Sequence, residues 1–299
     1  ALMGSNKMRH ISPLRYPGGK SCIHPFISSL IKENRLQHFS YAEPYAGGGG
    51  LALRLLLENA VDSIHLNDLD RSIYAFWYSI LHETDSFCYW LSHVGIDMTQ
   101  WNYFHEVQEH KDTVDLLELG KSTFFLNRTN VSGIIKGGPI GGHAQAGKYK
   151  LDVRFNREAL IDRIECIARR SDDIHISNLD GVEFIKRLNE EAEDIFIYLD
   201  PPYYKKGSSL YMNYFQERDH VELRDALRTI NKPWIVSYDN NEFILNLYEN
   251  YARISYQLSQ CTSNRVGEEV IVLSTPLHAD GSLAYLKSPR TIAPKEVPS

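Results

Sequence analysis

The tetrapeptide Asp200-Pro201-Pro202-Tyr203 places an acid, two rigidly held carbonyls and an aromatic ring at the end of an apolar run, Asp194-Ile195-Phe196-Ile197-Tyr198-Leu199. The run reads as a buried strand. Proline donates no backbone N–H, so the ladder stops there and the chain must turn. Open α/β sheets place their ligand crevices at such carboxyl ends. The set suits a flat ring bearing an amino group: the carboxylate and carbonyls accept its N–H bonds, and the tyrosine offers a face to stack on. An ordinary strand-to-loop turn draws on the same residue types.

Three other groups could do related chemistry. Pro44-Tyr45-Ala46 runs into Gly47-Gly48-Gly49-Gly50, where the missing side chains let the backbone approach a ligand and the helix behind favours anions. Asp68 ends the next strand, where an acid accepts hydrogen bonds from ribose hydroxyls in nucleoside-binding sheets. It also sits where a helix N-cap would. Asp180 repeats the pattern one strand later and suits an adenine amino group or, equally, a helix cap. Upstream, Arg15-Tyr16-Pro17-Gly18-Gly19-Lys20 could clamp a small zwitterion, with Lys20 taking a carboxylate and Tyr16 packing on the ligand; a plain loop is the alternative.

The elements that must position these groups follow from periodicity. A helix is expected over Ile23–Asn34, a strand over Ser40–Pro44, a helix over Leu51–Glu58, a strand over Ser63–Asn67 and a helix from Arg71. That order, strand, glycine turn, helix, strand, acid, helix, opens a doubly wound sheet. Helical periodicity continues through Ser72–Leu119. Residues 133–147 hold six glycines and a proline, too loose for core and rich in turn signals. Strand character returns at Ile174–Ser177, followed by a helix over Val182–Asn189 and the strand ending at Asp200. A helix over Arg218–Ile230 and strands at Trp234–Ser237 and Val270–Ser274 come last. The tail beyond Leu277 is expected to be poorly ordered.

At 299 residues, with 43% hydrophobic and 23% charged residues, the composition is that of a soluble globular chain. No apolar run approaches the ~20 residues that span a bilayer. Residues 1–8 lack the apolar centre of a signal peptide and are set aside as ahead of a start near Met8. Cys22, Cys88, Cys166 and Cys261 are scattered, form no metal-ligand spacing and read as reduced thiols of a cytosolic protein. The formal net charge of −6 conceals an asymmetry. Residues 121–170 carry ten Lys/Arg against four acids, +6 locally and −12 for the remainder. A basic patch on an acidic chain is the footprint of a phosphate-backbone binder, although a solvated helix face explains residues 154–170 as well.

In this order the pieces resemble one family, the Dam-like (D12) amino-group DNA methyltransferases, which use S-adenosyl-L-methionine. The resemblance rests on Tyr16-Pro17-Gly18-Gly19-Lys20, Glu43-Pro44-Tyr45-Ala46-Gly47-Gly48-Gly49, Asn67-Asp68, Asp180 and Asp200-Pro201-Pro202-Tyr203. Phe125-Leu126-Asn127-Arg128-Thr129 through Ser132-Gly133 resembles the entry to the family's DNA-reading hairpin. It implies a doubly wound, Rossmann-like α/β sheet of seven mostly parallel strands, with a mainly helical target-recognition insert. The catalytic domain would be 9–70 with 171–280, and the insert 71–170. It implies a cofactor set of Tyr16, Gly19, Lys20, Pro44, Tyr45, Ala46, Gly47, Gly49, Asp68, Asp180 and Asp200, with Lys20 at the methionine end, Asp68 on the ribose and Asp180 on the adenine. Asp200, Pro201, Pro202 and Tyr203 would form the catalytic loop acting on N6 of a flipped-out adenine, with no metal.

For DNA the resemblance and the basic patch single out Asn127, Arg128, Ser132, Lys136, Lys148, Lys150 and Arg265, with His143 and Gln145 as further readers of bases. Double-stranded DNA is the expected partner, with a separately acting cognate restriction endonuclease beside it, for a monomeric cytoplasmic protein of bacterial or phage origin. Methylation of cytosine N4 or of an RNA base, and a non-catalytic DNA-binding cofactor sensor, are the competing readings. Asp200 favours adenine over cytosine, and an intact Lys20 and Asp-Pro-Pro-Tyr loop speak against the sensor. A dinucleotide dehydrogenase is excluded by the contiguous glycines.

Overall fold

The computed structural model describes residues 10–16, 20–202, 204, 215–258 and 267–296. Its sheet has eight strands: β1 (Ser40–Glu43), β2 (Ile64–Asn67), β3 (Ile174–Ser177), β4 (Ile195–Leu199), β5 (Trp234–Asp239), β6 (Ala252–Gln257), β7 (Glu268–Leu273) and β8 (Lys287–Ile292). Their order is β3-β2-β1-β4-β5-β7-β6-β8. β1 runs parallel to β2 and β4, and β4 parallel to β5. From β5 outward the pairing turns antiparallel, β5 to β7, β7 to β6 and β6 to β8. The sheet is therefore mixed and eight-stranded, against the expectation of seven mostly parallel strands. Part of the difference is the tail: Lys287–Ile292, expected to lack order, pairs with β6 as an edge strand. Its polar composition hides it, and Pro289 is tolerated because an edge strand can leave one side unpaired.

The helices among the described residues are α1 (His24–Glu33), α2 (Gly50–Leu57), α3 (Arg71–His82), α4 (Thr84–His93), α5 (Met98–Glu109), α6 (Leu116–Thr129), α7 (Arg157–Ala168), α8 (Gly181–Glu190), α9 (Glu217–Leu227) and α10 (Glu242–Leu247). None is long and apolar enough to cross a membrane. The chain divides into two compact units, one of residues 1–19, 47–54 and 68–178, the other of 20–46, 55–67 and 179–299.

In the second unit the central strands have two unlike faces, as a period of two dictates. Ala42, Ile195, Ile197, Leu199, Trp234, Val236, Tyr238, Val270 and Val272 join one apolar core with residues of α8, α9 and α10. The alternating residues, among them Tyr41, Glu43, Tyr198, Ser237, Glu269 and Tyr256, carry polar groups that are buried all the same. β1 and β4 lie side by side where the strand order reverses, so Pro44-Tyr45-Ala46 and Asp200 leave neighbouring strand ends. Such a reversal is where doubly wound sheets open a crevice.

The first unit is built on aromatic packing. Phe76 of α3 stacks on Phe124 of α6 at 6.0 Å between centroids, and Phe87 meets Phe124 edge-on at 5.5 Å. α3 and α6 approach closely because Gly120 has no side chain: a Cβ there would lie 2.6 Å from the carbonyl oxygen of Ala75 and 2.1 Å from the Ser79 hydroxyl. Alanine would improve helix propensity by about 1 kcal/mol. The carbonyl cannot withdraw without breaking its helix, however, and overpacking costs about 1–3 kcal/mol or more. Gly120→Ala is expected to lower stability by about 1–2 kcal/mol, read from urea unfolding; an unchanged midpoint would show that the helices can separate freely.

Candidate active site

Within the second unit, all five residues of β4 are buried, and the strand delivers Asp200 at its carboxyl end with Pro201 buried behind it. The Ser237 hydroxyl of β5 lies 3.4 Å from Asp200 Oδ1 and 2.8 Å from the Tyr198 hydroxyl. Lys20 Nζ stands 3.7 Å from Asp200 Oδ1 and 3.7 Å from Glu269 Oε2 of β7. Burial pushes the Asp200 carboxyl above the ordinary carboxylate range, while Lys20 and the Ser237 hydroxyl pull it back. Lys20, expected to clamp a ligand carboxylate, is thus held by two carboxylates of the chain itself. Glu269 escapes a reading of the sequence because the apolar run begins only at Val270; the ladder begins at Glu268 and sets Glu269 opposite Asp239 and Tyr256. Tyr203 and Gly19 lie outside the described residues. Tyr204 stacks on Phe243 at 4.7 Å, and its hydroxyl donates to Glu217.

In the same unit Asp180 caps α8, its Oδ2 accepting from the N–H groups of Val182 at 3.0 Å and Glu183 at 3.2 Å. The capping role is therefore real, and it leaves the exposed carboxylate with further acceptor capacity. Tyr45 lies against Gly181, where a Cβ would come within 2.6 Å of its hydroxyl. That hydroxyl is buried with no hydrogen-bond partner, and burial followed by the charge of Asp180 pushes it well above the usual phenol range. Asn67 ties these loops together. Its side chain donates to the carbonyls of Pro44 at 3.0 Å and Leu179 at 2.9 Å and accepts from the Leu179 N–H at 2.9 Å. Ala46 is fixed by its own N–H on the Asn67 carbonyl.

In the first unit the glycine turn bends through positive φ at Gly47 (50°) and Gly49 (61°). The Tyr16 ring rests on Gly47 so closely that a Cβ would meet it at 2.6 Å. Gly47 donates its N–H to Asp68 Oδ2 at 3.0 Å, and its carbonyl accepts from Trp77 Nε1 at 3.1 Å. Asp68 Oδ1 accepts the Asp70 N–H at 2.9 Å. The helix N-cap considered for Asp68 falls instead to Asp70, which takes the Ser72 N–H and pairs with Lys111 at 2.8 Å. Each Asp68 oxygen thus holds one backbone N–H and keeps further acceptor capacity. Burial first, then the Asp70 carboxylate, pushes its carboxyl up to about 7 against the pull of two backbone N–H groups and Lys111.

Two of the expected DNA contacts are internal. Asn127 is buried, donating to the carbonyls of Arg15 at 2.6 Å and Gly133 at 3.0 Å and accepting the Arg15 N–H at 2.7 Å. Arg128 is buried too; its Nε donates to the Pro13 carbonyl at 2.8 Å and its Nη1 to that of Arg154 at 3.2 Å. Burial pulls this guanidinium down to about 9. Both residues shape the loop and present nothing to a base edge. Gln145 is likewise engaged, donating to Ile140 O at 2.7 Å and Gly142 O at 2.9 Å and accepting from Leu151 N. With the Asn130–Pro139 bridge, these bonds fold residues 133–147 back on themselves, contrary to the expected looseness. Ser132 (φ 56°), Lys136, His143, Lys148 and Lys150 are exposed, with the Lys150 ammonium donating to the Gln145 carbonyl. Arg265 lies outside the described residues.

Comparison with known proteins identifies a family. The model of the D12 class N6 adenine-specific DNA methyltransferase family matches residues 16–260. Type II methyltransferase M.CviBI of Paramecium bursaria Chlorella virus NC1A is 24% identical over 241 residues, covering 77% of this chain and 86% of that protein. Type II methyltransferase M1.LlaDCHI of Lactococcus lactis subsp. cremoris is 22% identical over 263 residues, 84% of this chain and 88% of that one. Type II methyltransferase M.MjaIII of Methanocaldococcus jannaschii is 23% identical over 262 residues, 80% and 88% respectively.

The raised Asp68 carboxyl has a consequence for stability. Between its unfolded value of 3.8 and its folded value of about 7, the folded chain holds a proton that the unfolded chain releases. This group therefore makes stability fall as pH rises through that window. Asp68→Asn is expected to remove that decline in thermal unfolding across the same range; a decline as steep as the parent's would show that the carboxyl titrates normally.

Proposed function

The chain belongs to the D12 class of N6 adenine-specific DNA methyltransferases, and we propose that Asp200 and the Pro201 carbonyl hold the amino group of a flipped-out adenine for methylation. The protein methylates adenine in DNA, and its family implies S-adenosylmethionine as the methyl donor. The observation that carries the reading is Asp200 itself, set at the end of a buried strand beside the sheet's order reversal and braced by Lys20 and Ser237.

The residues present fit the donor. The partnerless Tyr45 hydroxyl beside Asp180 offers an unused polar group at the adenine end, together with the spare acceptor capacity of Asp180. Each Asp68 oxygen accepts one backbone N–H and keeps acceptor capacity that suits the two hydroxyls of a ribose diol. Tyr16 packs on Gly47, whose N–H reaches Asp68, and positive φ at Gly47 and Gly49 bends the turn. When bound, the donor supplies a methyl group on a sulfonium.

Adenine N6 is a weak nucleophile because its lone pair is delocalised into the ring. Hydrogen bonds from the N6–H groups to the Asp200 carboxylate and the Pro201 carbonyl favour a pyramidal nitrogen with its lone pair free. Tyr203 is assigned to stack on the ring. Once N6 has formed its bond to the methyl carbon, with the carbon–sulfur bond broken and the sulfur left as a neutral thioether, it carries one proton too many, and the neighbouring Asp200 carboxylate would accept it. Positioning supplies most of the remaining acceleration. A paired base cannot reach such a loop, so flipping at a cost of a few kcal/mol belongs to the mechanism.

Ser132, Lys136, Lys148 and Lys150 remain the proposed DNA contacts among the described residues. The Type II names of the relatives make a separately acting restriction endonuclease the proposed cellular partner.

Labelled methyl transfer to unmethylated genomic DNA, followed by nucleoside digestion, should yield N6-methyladenine; N4-methylcytosine would overturn the target base. Asp200→Ala should abolish transfer while DNA binding stays measurable, and retained turnover would remove Asp200 from the chemistry. Neutralising Lys148 and Lys150 together should reduce the salt slope of DNA binding by about 2, one for each ammonium that no longer meets a phosphate. An unchanged slope would place the basic footprint elsewhere.

A further inference from the structure

The sheet face that carries Asp200 holds more acid than the mechanism above uses. Register places Glu269 of β7 directly across from Asp239 of β5 and from Tyr256 of β6. On β1, Glu43 accepts from the Tyr41 hydroxyl at 2.8 Å. Glu43 and Glu269 are 7% and 3% exposed, and the Lys20 side chain is 9% exposed. A carboxylate buried this deeply takes up a proton or finds a cation. One ammonium, that of Lys20, serves both Glu269 Oε2 and Asp200 Oδ1 at 3.7 Å each. Lys20 reaches this face from a short helical turn, Lys20–Ile23, on a four-carbon stem that could adopt many rotamers. A second carboxylate on a rigid interior strand is what restricts that freedom.

We infer that Glu269 is a positioning residue for methyl transfer, anchoring the Lys20 ammonium so that Lys20 in turn fixes the direction in which the Asp200 carboxylate faces the amino group. The inference rests on the assignment of Asp200 to that amino group. Glu269 touches neither the base nor the donor in this role; it acts through Lys20. A neutral apolar residue would suit a buried strand better on packing alone, since burying a carboxylate costs free energy that only its pairing recovers.

The groups facing Asp200 are Lys20 from the turn, Ser237 from β5, Tyr198 and Tyr41 with Glu43 from β4 and β1, Tyr256 from β6 and, through Lys20, Glu269 from β7. With Glu269 neutral, Lys20 would serve Asp200 alone and hold it ionised to lower pH.

The test is steady-state methyl transfer by the whole chain to unmethylated genomic DNA across pH, for the parent, Glu269→Gln, Glu269→Asp, Lys20→Met and the Glu269→Gln/Lys20→Met double variant. Thermal unfolding and titrations of donor and DNA affinity accompany it. Glu269→Gln should lower kcat by about 100-fold, the cost of an ångström-scale misplacement, with both affinities preserved and the acid limb moved to lower pH. Glu269→Asp, which restores the charge, should recover part of kcat. The double variant should be no worse than Lys20→Met, because the two act in series. Parental kcat and acid limb in Glu269→Gln would overturn the inference, as would losses that multiply in the double variant. A fall in kcat that follows a fall in the unfolding midpoint, with the acid limb unmoved, would also overturn it and leave Glu269 a packing residue. A parent with no transfer to any DNA would instead overturn the assignment of Asp200.

Discussion

In the second unit one ammonium stands between two carboxylates, one buried on β7 and one half-buried at the end of β4. Asp200 and Glu269 share Lys20, and removing one partner from such a buried pair typically costs about 3–5 kcal/mol because the remaining charge is stranded. The pairing is therefore poor evidence of added stability and good evidence of placement. It sets the end of β4, the start of β7 and the short turn after residue 19 into fixed mutual register, all inside one compact unit. A free Lys20 would be a flexible cation; held at two points it becomes part of the scaffold.

That arrangement is possible because the central strands divide their work by face. One side of β4 and β5 is apolar, packed by α8, α9 and α10. The other is lined by tyrosines, a serine and carboxylates whose hydrogen bonds run strand to strand, as from Tyr198 to Ser237 and from Ser237 to Asp200. A strand buried on both faces normally reads as continuously hydrophobic. Here Phe196 and Tyr198 keep the run apolar enough to be recognised as a strand, while the Tyr198 hydroxyl reaches the polar network. Tyrosine suits this position because its body packs and its tip hydrogen-bonds.

What the sequence revealed follows the same division. Strands ending in a chemically distinctive residue, at Glu43, Asn67 and Leu199-Asp200, were legible because the apolar run and its terminator coincide. Helices such as α1, α8 and α9 were found nearly to their bounds by their periodicity. β6 and β8 were not, since Ala252-Arg253-Ile254-Ser255-Tyr256-Gln257 alternates weakly and Lys287–Ile292 is an exposed edge. Glu269 was missed for a different reason: no local pattern tells an acid at a strand's start from the loop before it. Only the register that sets it opposite Asp239 and Tyr256, and the lysine arriving from 249 positions earlier in the chain, gives it a role. Asn67 was legible as the end of its strand, but its work, joining three backbone groups, was not.

The recognition side shows the opposite error, function read where structure was at work. Asn127 and Arg128 are the residue types that read bases, and they sit in a basic stretch, yet both are buried and bonded to carbonyls of the segment before Tyr16. Their polarity serves the backbone of residues 13–15, which has no regular partner of its own and would otherwise leave its carbonyls unsatisfied in the interior. Arg128 shows how strong that demand is: burial and neighbouring guanidinium groups oppose its charge, yet it remains where two carbonyls need a donor. A basic composition thus overstates the surface available to DNA. The cations that do reach solvent, Lys136, Lys148 and Lys150, lie on a loop held in shape by Gln145, so a residue assigned to base reading instead presents its neighbours. Specificity in this segment then depends on how firmly the loop is built as much as on which side chains it displays.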